Sequence, residues 1–229
     1  MFYPFFDPTM VLLIPAVILA IWAQSRVRST YRKYSQIRSA SGITGAVAAR
    51  RILDMKGLND VEVIPVAGEL SDHYDPRTKK VCLSEGIYNS PSVAALGIAA
   101  HEVGHAAQHA EGYTALKLRH LILMPANLGS TLAFPLFFIG FIFTSFKVLM
   151  DVGIIFFIGA LAFQLITLPV EFDASRRALV TLKGSGFLAE HEVDQSRKVL
   201  SAAALTYVAA ATMALTQLLR LLVLRGSRD

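Results

Sequence analysis

The sequence predicts a mainly α polytopic membrane protein with about four transmembrane helices and a small cytoplasmic domain that contains a short β hairpin or sheet. Three observations carry this reading. Of the 229 residues, 54% are hydrophobic and 17% charged, and the mean hydropathy is positive, which is too apolar for an ordinary soluble domain of this length. Residues 8–25, 120–146, 152–170 and 199–219 contain no Asp, Glu, Lys or Arg, and each has about the 17 to 25 residues that a helix needs to cross a bilayer. The remainder is mostly one polar block between the first two windows. This composition excludes a disordered tail and a coiled coil, and the single Cys82 excludes a disulfide-stapled module.

The first window reads as an uncleaved anchor. A signal peptide carries positive charge before its apolar core and a small-residue cleavage site after it, whereas here Asp7 precedes the window and an Arg cluster follows. Pro4, Pro8 and Pro15 delay or bend the start of its helix. The formal charge is +5, and its arrangement is more informative than its total. Arg26, Arg28, Arg32, Lys33 and Arg38 follow the first window, and Arg176, Arg177, Lys183, Arg197 and Lys198 lie between the third and fourth. The link between windows two and three offers only Lys147 and Asp151. The positive-inside rule places both polar segments in the cytoplasm and both termini outside; Arg225 and Arg228 oppose this orientation. Nucleic acid is not expected as a partner, because aromatic residues do not interleave with the basic ones as stacking platforms require. Trp22, Tyr31 and His120 suit the membrane interface.

Residues 41–56 have apolar positions at helical spacing (Ile43, Val47, Ile52), and Gly57 stops the run as a C-cap glycine would. VEVIPVAG and KVCLSEG alternate on either side of the turn-rich SDHYDPRT, which predicts two strands joined by a hairpin or a loose connection. After Asn89-Ser90-Pro91, a cap with proline in the first turn, an Ala-rich helix runs to near Gly112. VEFDASRRALVTLKG continues or restarts the third span and ends at Gly184 and Gly186, and a polar helical stretch leads into the last span, which carries Tyr207. The expected organisation is an anchor at 1–25, a cytoplasmic segment at 26–119 and a transmembrane hairpin at 120–170. A second cytoplasmic segment at 171–200 and a final helix with its tail at 201–229 complete it.

The strongest local signal is His101-Glu102-Val103-Gly104-His105. Residues four apart on a helix share a face one turn up, so both imidazoles can converge on one metal ion with Glu102 beside its open position. Zinc there would polarise a scissile carbonyl and acidify water, and Glu102 would take the water's proton and pass it to the leaving amine. His109 lies on the same stripe, but it is about 12 Å from His101 at a rise of about 1.5 Å per residue, too far to share an ion. A catalytic zinc needs a third protein ligand, and two histidines with a glutamate form a recognised set. Glu171, a carboxylate at the edge of an apolar run, is the candidate. Glu111, Glu190 and Glu192 compete and read as solvated charges.

The anchor, HEVGHAAQH, the following pair of spans, VEFDASRRAL and LTYVAAA together make nearly the whole chain similar to the neutral zinc metallopeptidase family 2 of YugP-like membrane proteins, and more distantly to the HtpX-like membrane peptidases. The resemblance implies His101, His105 and Glu171 as zinc ligands, Glu102 as catalytic base, and a zincin-like cytoplasmic domain. One departure stands out. The HtpX-like pattern places an Asp four residues after the ligand Glu, where this chain has Ser175, with Asp173 two residues after it instead. Residues two apart on a helix do not face each other, and Asp173 serves as the partner that orients a ligating histidine if the helix is distorted at Pro169.

Residues 79–84 resemble the strand that lines the cleft in HtpX-like peptidases. An open edge there, with Val81 and Leu83, would take an extended peptide by strand addition; a paired structural strand is the alternative. His73, His191 and Tyr207 are candidates for stabilising the oxyanion, and spacing selects none of them. The expected protein is a gluzincin-like zinc endopeptidase of a bacterial cytoplasmic membrane. Its site faces the cytoplasm, and its substrates are membrane or membrane-proximal polypeptides. The alternative is an inactive zinc-binding scaffold or regulatory subunit, which would have no use for Glu102. A transporter is weaker still, because the four windows contain essentially no ionisable groups near midplane.

Overall fold

The computed structural model describes residues 8–227; Pro4 and Asp7, used above for the first span, and Arg228, used for orientation, lie outside them. Among the described residues, four helices are long and apolar enough to cross a membrane: Pro8–Tyr34, Thr114–Ile142, Val148–Gly184 and Glu190–Gly226. The first, third and fourth run beyond their apolar windows into polar sequence, whereas the second starts before its window and stops at Ile142, short of its end. The first comprises a 3-10 turn, Pro8–Leu13, and α1, Ile14–Tyr34. Next come α2, Gly45–Met55, then β1, Glu62–Val66, β2, His73–Asp75, and β3, Lys80–Ser84. The short α3, Glu85–Tyr88, leads to α4, Val93–Ala110, followed by α5, Thr114–Ile142, α6, Val148–Gly184, and α7, Glu190–Gly226. The protein is mainly α with a small sheet, as its sequence predicts.

The chain divides into two compact units. One contains the chain up to Ala23, Lys117–Leu168, and the chain from Thr206 onward. Its core is Ala133, Phe137, Met150, Ile154, Phe157, Leu221 and Leu224. A Cβ on Gly153 would stand 2.6 Å from the Ala133 carbonyl oxygen, so α5 and α6 touch backbone to backbone there, the small-residue packing that holds helices together where lipid competes for every apolar side chain. Asp151 binds the Arg225 guanidinium at 2.8 Å. This engages one of the two cations that opposed the predicted orientation, and it sets the start of α6 beside the end of α7.

The other unit contains Gln24–Leu116 and Pro169–Leu205. Thr44 caps α2 by accepting from Val47 N, and Gly57 closes it at φ +71°, with Leu58 N donating back to Leu53 O as in a Schellman cap. The α4 cap is Ser92, accepting from Ala95 N, so Pro91 precedes the cap instead of lying in the first turn. Ala48, Ala49, Ile52 and Leu53 of α2 meet Leu96, Ala99, Val103 and Ala106 of α4 in the core beneath the sheet.

The sheet differs from the predicted pair of strands. Its order is β1-β3-β2; β3 runs parallel to β1 and antiparallel to β2. The turn-rich segment therefore holds a strand of its own. Asp75 accepts from Arg77 N and Thr78 Oγ1, an Asx turn that folds β2 back on β3. Insertion of this third strand reverses the chain once more and leaves β1 and β3 parallel. Helix α6 runs unbroken through Pro169, so VEFDASRRALVTLKG continues the third span. Glu192 corrects its reading as a solvated charge: it is buried and accepts from Ala40 N and Ala189 N, each at 2.8 Å. In that position it caps the start of α7 and ties the loop after α1 to it.

Helix α4 meets α6 at Gly104, where an added Cβ would stand 2.8 Å from the Ala174 carbonyl oxygen and 3.2 Å from its Cα. Neither is the end of a flexible side chain, so Gly104→Ala forces the helices apart. The expected loss of stability is about 1–3 kcal/mol, seen as a lower thermal midpoint of the detergent-solubilised protein; an unchanged midpoint would contradict the close crossing.

Candidate metal centre

The crossing at Gly104 sets Glu171 of α6 against the two histidines of α4. His101 and His105 stand one turn apart with rings edge to face, centroids 4.7 Å apart. Glu171 is 2% exposed, and its Oε2 lies 3.3 Å from His101 Nε2 and 3.6 Å from His105 Nε2. The three groups each offer a ligand atom within 4.8 Å of the others. Donors bound at about 2.05 Å to a tetrahedral ion stand about 3.3 Å from one another, close to the two Glu171–histidine separations, and the imidazole and carboxylate donors suit zinc.

Glu102 is 7% exposed. Burial pushes its carboxyl above the ordinary value, the two histidines oppose this, and Glu171 and Asp72 add to it. For His105, burial disfavours the protonated ring, but Glu171, Glu102 and Gln108 outweigh burial and raise its proton affinity. Two acidic groups thus draw positive charge to this point in the core, which is what a cation site requires.

Behind the ligands, Ser175 Oγ is 3.1 Å from His101 Nδ1, and Gln108 Oε1 is 3.0 Å from His105 Nδ1. Gln108 Nε2 in turn donates to the Val170 carbonyl and to Asp173 Oδ2, each at 2.9 Å. Asp173 is also bound by Arg176 and Arg177, and Arg177 reaches Glu111 at 2.7 Å.

The residues picked from sequence fall into three groups. His101, Glu102, His105 and Glu171 come together. Asp173 turns to Gln108, because α6 stays helical and residues two apart on it face different ways. The others stand elsewhere. His73 is exposed on β2 with Nδ1 2.8 Å from Ser71 O, His191 is exposed on the first turn of α7, and Tyr207 belongs to the other compact unit. The peptide-binding edge expected at 79–84 is corrected: β3 is the central strand, paired on both sides, and Val81 and Leu83 are 0% exposed. β1 pairs with it along Lys80–Ser84 and β2 along Lys80–Cys82, and beyond that Ser84 N donates to Asp72 Oδ1. His109, set aside on distance, bonds the Tyr74 hydroxyl at 2.9 Å. Glu111 and Glu190 are exposed and paired with Arg177 and Lys183.

Sequence reading missed Gln108 and Ser175 as partners of the histidines. Their signal was spacing alone: Gln108 follows His105 by three, and Ser175 follows Glu171 by four, each on the same helix face.

A family described as "Putative neutral zinc metallopeptidase" matches residues 9–226. The chain is 51% identical over 219 residues to "Putative membrane protease YugP" of Bacillus subtilis (strain 168), covering 95% of this chain and 97% of that one. No solved structure matches. Spanning helices, a donor set spaced for zinc and a match over almost the whole length agree: the chain belongs to this family of neutral zinc metallopeptidases, as a membrane protein with zinc as its cofactor.

Proposed function

We propose that this chain is a membrane-integrated zinc endopeptidase of the gluzincin kind, in which His101, His105 and Glu171 hold the metal and Glu102 is the general base. The observation that carries the reading is the single Glu171 oxygen shared between two imidazole nitrogens at 3.3 and 3.6 Å. Zinc, when bound, supplies Lewis acidity to the scissile carbonyl and to water. Glu102 accepts the proton of the attacking water and delivers it to the departing amine. Its burial keeps bulk water from competing for that proton. A purely structural zinc site closes its coordination with a fourth protein ligand and needs no base, so Glu102 favours the enzyme over the scaffold.

Substrates are membrane or membrane-proximal polypeptides, a reading supported by the four spanning helices and by the name of the Bacillus relative. The basic residues that follow the first span and precede the last favour a cytoplasmic site in a bacterial cytoplasmic membrane. The clustering of Gln24–Leu116 with Pro169–Leu205 in one compact unit supports one cytoplasmic domain built from both polar segments.

Wild type is expected to cleave an unfolded test protein in detergent. Glu102→Gln should keep its zinc and lose activity by roughly a hundredfold or more, while Glu171→Ala should lose tight zinc binding as well. Equal zinc in wild type and Glu102→Gln with no cleavage by either would favour the scaffold, and unaltered zinc affinity in Glu171→Ala would remove the third ligand.

Orientation is testable with a thiol reagent that does not cross membranes. Cys82 is buried in the central strand, so its reactivity reports unfolding. An exposed position such as Lys56, substituted Lys56→Cys in a Cys82→Ala background, should resist labelling in intact cells and react after lysis. Labelling in intact cells would invert the topology.

A further inference from the structure

We infer that Gln108 is a positioning residue that selects which nitrogen of His105 faces the metal, an inference that rests on the metal-site reading above. Gln108 is 0% exposed, and both ends of its amide are engaged. One end stands 2.9 Å from the Val170 carbonyl oxygen and 2.9 Å from Asp173 Oδ2. A carbonyl oxygen has no hydrogen, and Asp173 already accepts from Arg177 Nε and from Arg176. Only an NH2 group satisfies two such acceptors, so that end is Nε2 with one hydrogen for each. The reversed amide would set an oxygen against two oxygens inside the fold, at the cost of a buried unpaired acceptor.

The other end is therefore Oε1, which faces His105 Nδ1 at 3.0 Å and has only lone pairs to offer. His105 must carry its hydrogen on Nδ1. In the neutral ring this leaves Nε2 bare, and Nε2 is the nitrogen that faces Glu171. The chain of requirements begins at a backbone carbonyl of α6 and ends at the lone pair available to zinc. His101 lacks this constraint, because the Ser175 hydroxyl can donate or accept. The two ligands thus differ: His105 is preset, and His101 adapts to the metal. Gln108 and Asp173 together do what a carboxylate in direct contact with a ligand histidine does elsewhere, with the charge held one residue further back.

The test uses the full-length zinc-loaded protein in detergent with isotope-labelled histidine, its resonances assigned by substitution. The expected spectrum has His105 bound through Nε2 and protonated at Nδ1, with slow exchange of that proton. Gln108→Met, which keeps the volume and removes the polar atoms, is expected to weaken zinc affinity by about ten- to a hundredfold in chelator competition and to speed exchange at His105 Nδ1. Binding through His105 Nδ1 in wild type, or unchanged zinc affinity in a folded Gln108→Met, would overturn the inference. Should Gln108→Met fail to fold, the wild-type spectrum alone decides. Wild type that takes up no zinc would instead overturn the site reading itself, a result distinct from zinc bound through the wrong nitrogen.

Discussion

A carboxylate buried between two imidazoles is costly unless positive charge joins it, and much of the compact unit that contains Glu171 is arranged around that cost. Glu171 is almost completely removed from solvent and holds its oxygen against both histidines. It reaches them because α4 and α6 approach until backbones touch at Gly104 and Ala174. The glycine between His101 and His105 is therefore as much a structural requirement of the candidate metal site as the three donors themselves. A Cβ at Gly104 would stand within 3.3 Å of the Ala174 oxygen, Cα and carbonyl carbon, so the crossing has no slack to take up a methyl group.

The same burial shapes the chemistry. Glu102 shares the low-dielectric surroundings, which raise its affinity for a proton. In the proposed site a divalent cation held by the three donors would bring opposing charge, so Glu102 as base would be tuned by the site it serves. The partners behind the histidines carry no charge themselves: a hydroxyl and an amide. Full charge enters only one step further back, at Asp173 with its two arginines. This layering keeps a third carboxylate out of direct contact with the ligands while still holding their rings in place.

Long-period features of the structure were legible in the sequence, and short-range pairing was not. Charge-free windows identify the spanning helices because lipid allows no alternative to a closed backbone ladder. The spacing of His101 and His105 identifies the metal site because helical period converts directly into geometry. The small sheet defeats this approach. Strand β2 is three residues long and sits in a segment whose Ser, Asp and Pro residues signal only turns, and alternation in KVCLSEG does not reveal whether one or both of its edges are covered. Glu192 illustrates a second limit, since a carboxylate that caps a buried helix start and one that faces water look alike in one dimension. Gln108 and Ser175 gave only a spacing signal for a related reason: Ser175 meets His101 across two helices, and the α6 acceptors that fix the Gln108 amide are brought near only by the crossing at Gly104.

The account stands on zinc bound by two imidazoles and a carboxylate. X-ray absorption at the zinc edge of the purified full-length protein tests this directly. The account predicts a low-coordinate shell of nitrogen and oxygen near 2.0 to 2.1 Å, about the distances usual for such ligands, with the outer-shell scattering of two histidine rings that His105→Ala reduces. A sulfur ligand, or a shell without imidazole scattering, would contradict it.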